Sequence, residues 1–282
     1  MPEFKEITAQ KILSATGIKE ADYVINPYRG CQFGCCFCYA QWNKFAQKKA
    51  GRWGDFVDIK VNAIKILEKE LKTHLKGTIM LGSTTEVYQP IESKYKLTGE
   101  ILKLLAKKKR DVIILTRSDL IIRDIDILKS FKNILVCFTL NTVDNDLIRT
   151  FEKTSPSADR RIEAIKTLAD NKIPVYLHAG PFIPFLTDAE KLLSRLDKFI
   201  KRADFENLNQ QMLTKSGFNK IFAQKFPHLL KDYEKIYHSK ENFDKYWNNV
   251  RLCLENLRDK FDLEINIKFH PFESFFQSYL SK

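Results

Sequence analysis

The sequence predicts an α/β fold, with a partial (β/α)6 TIM-like barrel followed by a mostly helical C-terminal extension. Two observations predict it. Through the first two thirds of the 282 residues, short apolar runs rich in β-branched residues alternate with amphipathic segments, which is the pattern of repeated βα units. After Leu208, long helical patterns replace this alternation. We therefore expect residues 1–208 to form the barrel core and residues 209–282 to pack on it as an extension.

Six strand candidates have nearly apolar interiors and polar flanks, as expected of parallel strands that are covered on both faces. They are Tyr23–Asn26, Thr78–Gly82, Val112–Thr116, Ile134–Leu140, Ile173–His178 and Asp204–Leu208. Right-handed crossovers between six consecutive βα units favour an open, partial barrel over a flat doubly wound sheet.

Amphipathic segments between these strands predict the helices. One helical face carries Val61, Ile64, Leu67 and Leu71, and the next carries Ile101, Leu104 and Leu105. Ser157 is a predicted helix cap. Thr187, followed by Glu190, matches a capping box and predicts a further helix start.

The extension is predicted to be helical over Phe218–Leu230 and about Tyr233–Phe261, with a last strand at Leu263–Phe269. The aromatic residues in its helical part have spacings that suit a packed helix face, which favours core packing over stacking on nucleic-acid bases. These residues are Tyr233, Tyr237, Tyr246 and Trp247.

Composition indicates a folded cytoplasmic protein that does not enter a membrane. The first residues lack the apolar stretch of a secretory signal, and the longest apolar runs are too short to span a bilayer. The net charge of +12 is compatible with an anionic partner such as nucleic acid. However, 12 of the 47 basic residues are Arg and 35 are Lys, and a Lys-rich solvated surface explains this charge equally well.

Four of the six cysteines lie between positions 31 and 38, and three of them, Cys31, Cys35 and Cys38, have the spacing C-x3-C-x2-C. Three thiolates on one tight loop can each bind one iron of a cubane and leave the fourth iron open. A structural zinc site would need a fourth ligand, and a set of buried free thiols is the remaining alternative. Cys36 fits no ligand position, so we expect it to serve in packing.

With this cysteine motif, the sequence resembles the radical S-adenosylmethionine superfamily. The defining motif of that superfamily is a three-cysteine loop of this kind after the first strand of a partial barrel. The sequence resembles in particular the spore photoproduct lyase-like branch, often labelled "DNA repair photolyase". The motifs that carry this resemblance are Asn26-Pro27-Tyr28-Arg29-Gly30-Cys31, Tyr88-Gln89-Pro90-Ile91-Glu92, Leu115-Thr116-Arg117-Ser118, Arg123-Asp124, Pro181-Phe182-Ile183-Pro184 and Thr187-Asp188.

The resemblance implies a [4Fe-4S] cluster on Cys31, Cys35 and Cys38 that reductively cleaves S-adenosylmethionine and yields a 5'-deoxyadenosyl radical. It implies an electron donor such as flavodoxin or ferredoxin, and we expect a monomer. Cofactor contacts are expected from residues near the cluster and at strand ends. These residues are Phe37, Thr84, Thr85, Arg117, Thr139 and Asn141.

Tyr39, Ser83 and Glu86 are the candidate catalytic residues, and Gln89 and Glu92 are expected at the mouth of the site. His178 is expected to be a hydrogen-bonded barrel residue rather than a catalytic one. Spore photoproduct lyases proper place a hydrogen-donating thiol where this chain has Ser83, so the same lyase reaction is not expected. A radical reaction on another substrate, modification of RNA or a peptide, and a non-catalytic metal-stabilised nucleic-acid-binding module are the competing functions.

Overall fold

A computed structural model describes residues 2–43, 46, 51–73, 76–210, 213 and 217–272. Within this part of the chain, no helix is both long and apolar enough to cross a membrane.

The centre of the molecule is an eight-stranded sheet with the strand order β11-β10-β9-β8-β7-β6-β3-β2. Its strands are β2 (Leu13–Ala15), β3 (Tyr23–Ile25), β6 (Ile79–Leu81), β7 (Val112–Thr116), β8 (Ile134–Thr139), β9 (Val175–Phe182), β10 (Arg202–Asn207) and β11 (Glu264–Ile267). Neighbours from β3 to β11 are parallel, and β2 pairs antiparallel with β3. All six predicted strands are present, in the predicted order, in a sheet that has open edges at β2 and β11.

Helices connect the strands and cover the sheet. They are α1 (Ala63–Glu70), α2 (Glu92–Tyr95), α3 (Leu97–Lys107), α4 (Ile125–Lys129), α5 (Asn145–Phe151), α6 (Ala158–Asp170), α7 (Ala189–Leu193), α8 (Gly217–Lys225), α9 (Leu230–Tyr237) and α10 (Lys240–Phe261), with 3-10 turns at Tyr39–Trp42, Asp119–Asp124 and Pro227–Leu229. The predicted cap on α6 is confirmed, because the Ser157 side chain accepts the N–H of Arg160.

Two predictions at helix starts were wrong. The cap of α7 is Asp188, whose carboxylate accepts the N–H of Lys191, whereas the Thr187 hydroxyl accepts the N–H of Ile183. A carboxylate at that position satisfies the free N–H groups of the first turn equally well. Val61 precedes α1 and is 41% exposed, so it is not part of the buried face.

A second, three-stranded sheet was not predicted. It consists of β1 (Glu3–Ile7), β5 (Phe56–Lys60) and β4 (Tyr28–Arg29), in the order β1-β5-β4. Its inner side chains pack against α2 and α3 in an apolar cluster of their own. Because β4 ends one residue before Gly30, this sheet fixes where the cysteine loop begins.

The described part of the C-terminal extension packs on the sheet through aromatic side chains. Tyr233, Tyr237 and Trp247 are buried, and rings from α8, α9 and α10 contact one another. This confirms the interpretation of that aromatic stripe as core. β11 then adds a parallel strand beside β10, so the extension continues the central sheet.

Candidate active site at the carboxyl edge of the sheet

A cavity of about 430 Å³ lies over the carboxyl ends of the parallel strands. One side is formed by the cysteine loop, and most of the rest by residues that end or follow β6 to β11. The lining residues are Cys31, Phe33, Cys35, Phe37, Cys38, Tyr39, Ala40, Trp53, Gly82, Ser83, Thr84, Thr85, Glu86, Leu115, Thr116, Arg117, Thr139, His178, Gly180, Pro181, Glu206, Asn207, Asn209 and His270. The ends of parallel strands are where α/β folds collect functional side chains.

The three predicted ligand cysteines all face this cavity, whereas Cys36 does not line it. Burial raises the pKa of Cys31, Cys35 and Cys38 to about 12. A backbone N–H from Glu86 opposes this rise at Cys31, since a hydrogen bond to sulfur favours the thiolate. The three thiols are therefore protonated when free and need a strong Lewis acid to ionise them, as metal ligation does.

The three thiols are compatible with a cluster. Among the described residues, no three His, Cys, Asp or Glu side chains are arranged to hold one metal ion. A cubane makes no such demand, because each thiolate binds a different iron and the sulfurs need only surround a common space.

Glycine is required at the entry to the cysteine loop. Gly30 has a φ of +83°, and a Cβ there would lie 2.3 Å from the carbonyl oxygen of Phe56, so any other residue would be both strained and obstructed. The Thr85 hydroxyl donates a 2.6 Å hydrogen bond to the Gly30 carbonyl. The end of β6 thus holds the first turn of the loop in place.

The segment after α5 holds the other side of the loop. The N–H of Cys36 donates to the Phe151 carbonyl at 2.9 Å, and the Phe33 carbonyl accepts the N–H of Lys153 at 2.8 Å. The Thr154 hydroxyl donates to the Gln32 carbonyl at 2.8 Å. These main-chain bonds fix the loop without using the cysteine side chains.

Arg117 follows β7 and lines the same cavity as the three thiols. Its Nη1 lies 3.0 Å from Oε1 of Glu152, and its guanidinium carbon lies 5.7 Å from the centre of the Phe37 ring. Burial lowers the pKa of Arg117, but the negative charge that Cys35 carries once it is ionised and the charge of Glu152 outweigh this effect and raise the pKa overall. The guanidinium therefore remains charged beside the cysteine loop.

Ser83 and Thr84 are held by Asn26, at the end of β3. Asn26 Nδ2 donates to the Ser83 hydroxyl at 3.0 Å, and Asn26 Oδ1 accepts the N–H of Thr84 at 3.0 Å. The Tyr39 hydroxyl donates to the Ser83 carbonyl. We did not assign Asn26 a role from the sequence, although it is the first residue of the motif that ends in Cys31.

Glu86 lines the cavity, but its carboxylate is hydrogen-bonded to other groups of the protein. Its carboxylate accepts hydrogen bonds from the Thr116 hydroxyl at 2.6 Å, and from the N–H groups of Arg117 and Tyr88 at 2.9 Å each. Burial raises the pKa of Glu86, although the hydrogen bonds from these donors oppose the rise. The arrangement holds the main chain at Arg117.

Two residues expected at the mouth lie elsewhere. Glu92 is fully buried and pairs with Arg123 at 2.7 Å. Gln89, also fully buried, accepts the N–H of Gln32 at 2.8 Å and donates to the Thr85 hydroxyl at 3.1 Å. The prediction was wrong because a polar stretch after a strand can turn inward when every polar atom finds a partner.

Thr139 and Asn141, at and beyond the end of β8, are placed differently from each other. Thr139 lines the main cavity. Asn141 lies with Phe37 in an adjoining narrow crevice, and both polar atoms of its buried side chain lack a hydrogen-bond partner. An unpaired buried amide costs about 1–3 kcal/mol, so this one is suited to a ligand.

Three cavity residues were not predicted to act together. His178 Nε2 lies 3.6 Å from Glu206 Oε2, and His270 Nε2 lies 2.6 Å from Glu206 Oε1. No local sequence pattern marks this group, because its members come from β9, β10 and the segment after β11, which are far apart in the chain.

Fold and site together define an α/β protein with a three-thiol loop that opens into a cavity at the strand ends. Residues 25–196 match the family model of the Radical SAM superfamily. The chain is also 36% identical over 252 residues to the uncharacterized protein MJ0683 of Methanocaldococcus jannaschii, covering 88% of this chain and 92% of that one. The chain therefore belongs to the Radical SAM superfamily, as the resemblance implied.

A more distant relative is the uncharacterized protein Rv2578c of Mycobacterium tuberculosis, which is 26% identical over 256 residues, with 84% of this chain and 75% of that protein covered. Among solved structures, spore photoproduct lyase complexed with dinucleoside spore photoproduct aligns with a TM-score of 0.68 at 12% identity, covering 95% of this chain and 82% of that one. Streptococcus suis SuiB bound to S-adenosylmethionine aligns with a TM-score of 0.54 at 17% identity, covering 88% of this chain and 46% of that one. At these identities the structural likeness shows a shared fold.

Proposed function

We propose that this chain is a radical S-adenosylmethionine enzyme of the spore photoproduct lyase-like branch, with a [4Fe-4S] cluster on Cys31, Cys35 and Cys38. The observation that carries the proposal is that these three thiols face one cavity at the strand ends. When bound, the cluster supplies the electron for reductive cleavage of S-adenosylmethionine to methionine and a 5'-deoxyadenosyl radical. The reaction is unassigned.

The residues of the site fit such a cluster. Three thiolates leave one iron without a protein ligand, and the loop that carries them is bonded through its main chain, so the thiols are free for metal. Phe33, Phe37 and Trp53 line the same space with apolar surface. Apolar surroundings exclude water and protect reactive intermediates.

The same residues would hold S-adenosylmethionine beside the cluster. Arg117 can pair with the methionyl carboxylate, and the hydroxyls of Thr84, Thr85 and Thr139 can bond its polar groups. The amide of Asn141, next to the Phe37 ring, has an unpaired donor and an unpaired acceptor that the cofactor could bond. Such contacts would orient the sulfonium for cleavage.

The six parallel βα units support a partial barrel as the architecture, with residues 1–208 as its core and 209–282 as the packed extension. We propose that the enzyme is a cytoplasmic monomer that receives its electron from a donor such as flavodoxin or ferredoxin. Ser83 lines the cavity where spore photoproduct lyases proper have the hydrogen-donating thiol. A serine O–H bond is too strong to replace that thiol efficiently, so a radical reaction other than that repair is favoured.

The test is iron and sulfide analysis of anaerobically prepared protein, followed by electron paramagnetic resonance of the reduced cluster with and without S-adenosylmethionine. We expect the spectrum to change when the ligand binds, and we expect 5'-deoxyadenosine to accumulate after reduction. If an intact cluster gave the same spectrum with and without S-adenosylmethionine, the proposal would be wrong. Zinc in place of iron would instead favour the metal-stabilised nucleic-acid-binding module.

Cys36 provides a matched control within the same loop. Single replacements Cys31→Ala, Cys35→Ala and Cys38→Ala should each abolish the S-adenosylmethionine response, because each removes one cluster ligand. Cys36→Ala should keep both iron content and response, since its thiol does not line the cavity. Equal loss in all four variants would contradict the ligand assignment.

A further inference from the structure

The cavity has a second polar wall that the proposed cluster and cofactor contacts leave unused. It consists of the three side chains His178, Glu206 and His270. Glu206 accepts a 2.6 Å hydrogen bond from His270 and faces His178 at 3.6 Å. A carboxylate has about four lone-pair positions, so Glu206 can accept further hydrogen bonds from a molecule in the cavity.

Contacts with neighbouring residues fix the side chains of this wall in position. The Asn207 amide clamps the His270 main chain, accepting its N–H at 2.8 Å and donating to its carbonyl at 3.1 Å. Gly180 lies opposite, where a Cβ would lie 2.4 Å from Nε2 of His178 and would force the imidazole to shift. The extension thus delivers His270 to the cavity, and glycine makes room for the second imidazole.

The lining of the cavity is not strongly basic, although the whole chain carries a net positive charge. Of the lining residues in the described part of the chain, Arg117 is the single Lys or Arg, and Glu152 neutralises it. Burial raises the pKa of Glu206, but the hydrogen bond from His270 and the charges of basic neighbours such as His270 and Lys268 outweigh this and lower the pKa below its ordinary value. Burial lowers the pKa of His178, against the charges of Glu206 and Asp204.

Glu206 is therefore ionised and His178 is neutral near pH 7. Lys268 is a further charged neighbour of Glu206 and pairs at 3.0 Å with Asp204. An anion placed against this wall would meet a carboxylate, whereas an N–H or ammonium-like group would meet a free acceptor.

We propose that His178, Glu206 and His270 form the substrate subsite, which binds a nitrogen group that donates hydrogen bonds, an amide or a guanidinium, and which disfavours phosphate and carboxylate. This deepens the proposed function, since it assigns the reactive cavity to that substrate group. Any phosphates of a larger substrate would then remain outside the cavity.

The test uses holoprotein with the oxidised cluster and follows the histidine side-chain signals by nuclear magnetic resonance during titration with acetamide, methylguanidinium or inorganic phosphate. We expect saturable shifts of His178 and His270 with acetamide or methylguanidinium, and none with phosphate. The signals of His228 and His238, which lie on the helical extension, are internal controls. Tighter binding of phosphate, or no shift with any probe, would overturn the subsite.

Two variants test the role of the carboxylate. Glu206→Gln should weaken methylguanidinium binding about tenfold, because the charge-assisted hydrogen bond is lost. His238→Ala is the control and should keep binding within about twofold, since His238 caps a helix of the extension and does not line the cavity. Unchanged binding in Glu206→Gln, an equal loss in His238→Ala, or displacement of methylguanidinium by S-adenosylmethionine would each refute the assignment. These readouts do not require cofactor cleavage, so a failed subsite and a failed enzyme proposal give different results.

Discussion

Nη1 of Arg117 lies 3.0 Å from Oε1 of Glu152, and the other carboxylate oxygen of Glu152 pairs with the fully buried Arg161. This buried ion group joins the end of β7 to α6. Glu152 directly follows Phe151, whose carbonyl accepts the N–H of Cys36. The orientation of Arg117 and the position of the cysteine loop are therefore coupled through one short segment.

Replacing Glu152 should destabilise the fold strongly. Glu152→Gln leaves Arg161 buried without its counter-charge, and breaking a buried pair in this way costs about 3–5 kcal/mol. Chemical denaturation should show this loss in the free energy of unfolding. The matched control is Glu163→Gln in α6, where an exposed carboxylate lies 3.9 Å from Lys166 and the expected change is below about 0.5 kcal/mol. Similar values for the two variants would mean that the buried group adds little.

The same carboxylate should make stability depend on pH in the acid range. Burial would raise the pKa of Glu152, but the charges of Arg161 and Arg117 outweigh it and lower the pKa from 4.5 to about 2. A lowered pKa in the folded state adds stability above pH 4.5, which is lost as pH falls toward 2.

The shift corresponds to about 3 kcal/mol. Denaturation between about pH 6 and pH 2.5 should show a steeper loss for the wild type than for Glu152→Gln. Parallel pH profiles would show that another carboxylate controls acid unfolding.

Gly30→Ala should disrupt the cysteine loop. The positive φ of Gly30 and the 2.3 Å approach to the Phe56 carbonyl predict a cost above about 2 kcal/mol and a lower iron content after reconstitution. Gly17→Ala is the control, because a Cβ there meets nothing within 4 Å. Normal iron loading and stability in Gly30→Ala would show that the loop can shift without harm.

The sequence predicted elements whose signal is continuous along the chain. β7 is an apolar run that begins directly after Asp111, and most of the six predicted strands have interiors of this kind. β5 was not predicted because Asp58 interrupts its apolar pattern. That carboxylate is buried in the structure and pairs with Arg29 of the neighbouring strand β4. A pairing of that kind cannot be read from either strand alone.

The same limit applies to the site. The cysteine spacing is local, so the sequence alone identifies the thiol loop. The His178, Glu206 and His270 wall depends on strand order and on where the extension returns, so its residues look unrelated in the sequence. Asn141 was expected at the site, but it lies in the adjoining crevice, and Phe37 lines both spaces.

Asn141→Ala separates ligand binding from stability. Both amide atoms are buried and unpaired, so removing them should leave the free energy of unfolding unchanged or raise it by about 1 kcal/mol. If the amide bonds S-adenosylmethionine, its affinity should fall about tenfold, as measured by titrating the change in the cluster spectrum. Asn133→Ala is the control, because Asn133 bonds Asp111 at the opposite end of the strands and should leave the affinity intact. A marked loss of stability in Asn141→Ala with unchanged affinity would assign the residue to the core and remove it from the cofactor site.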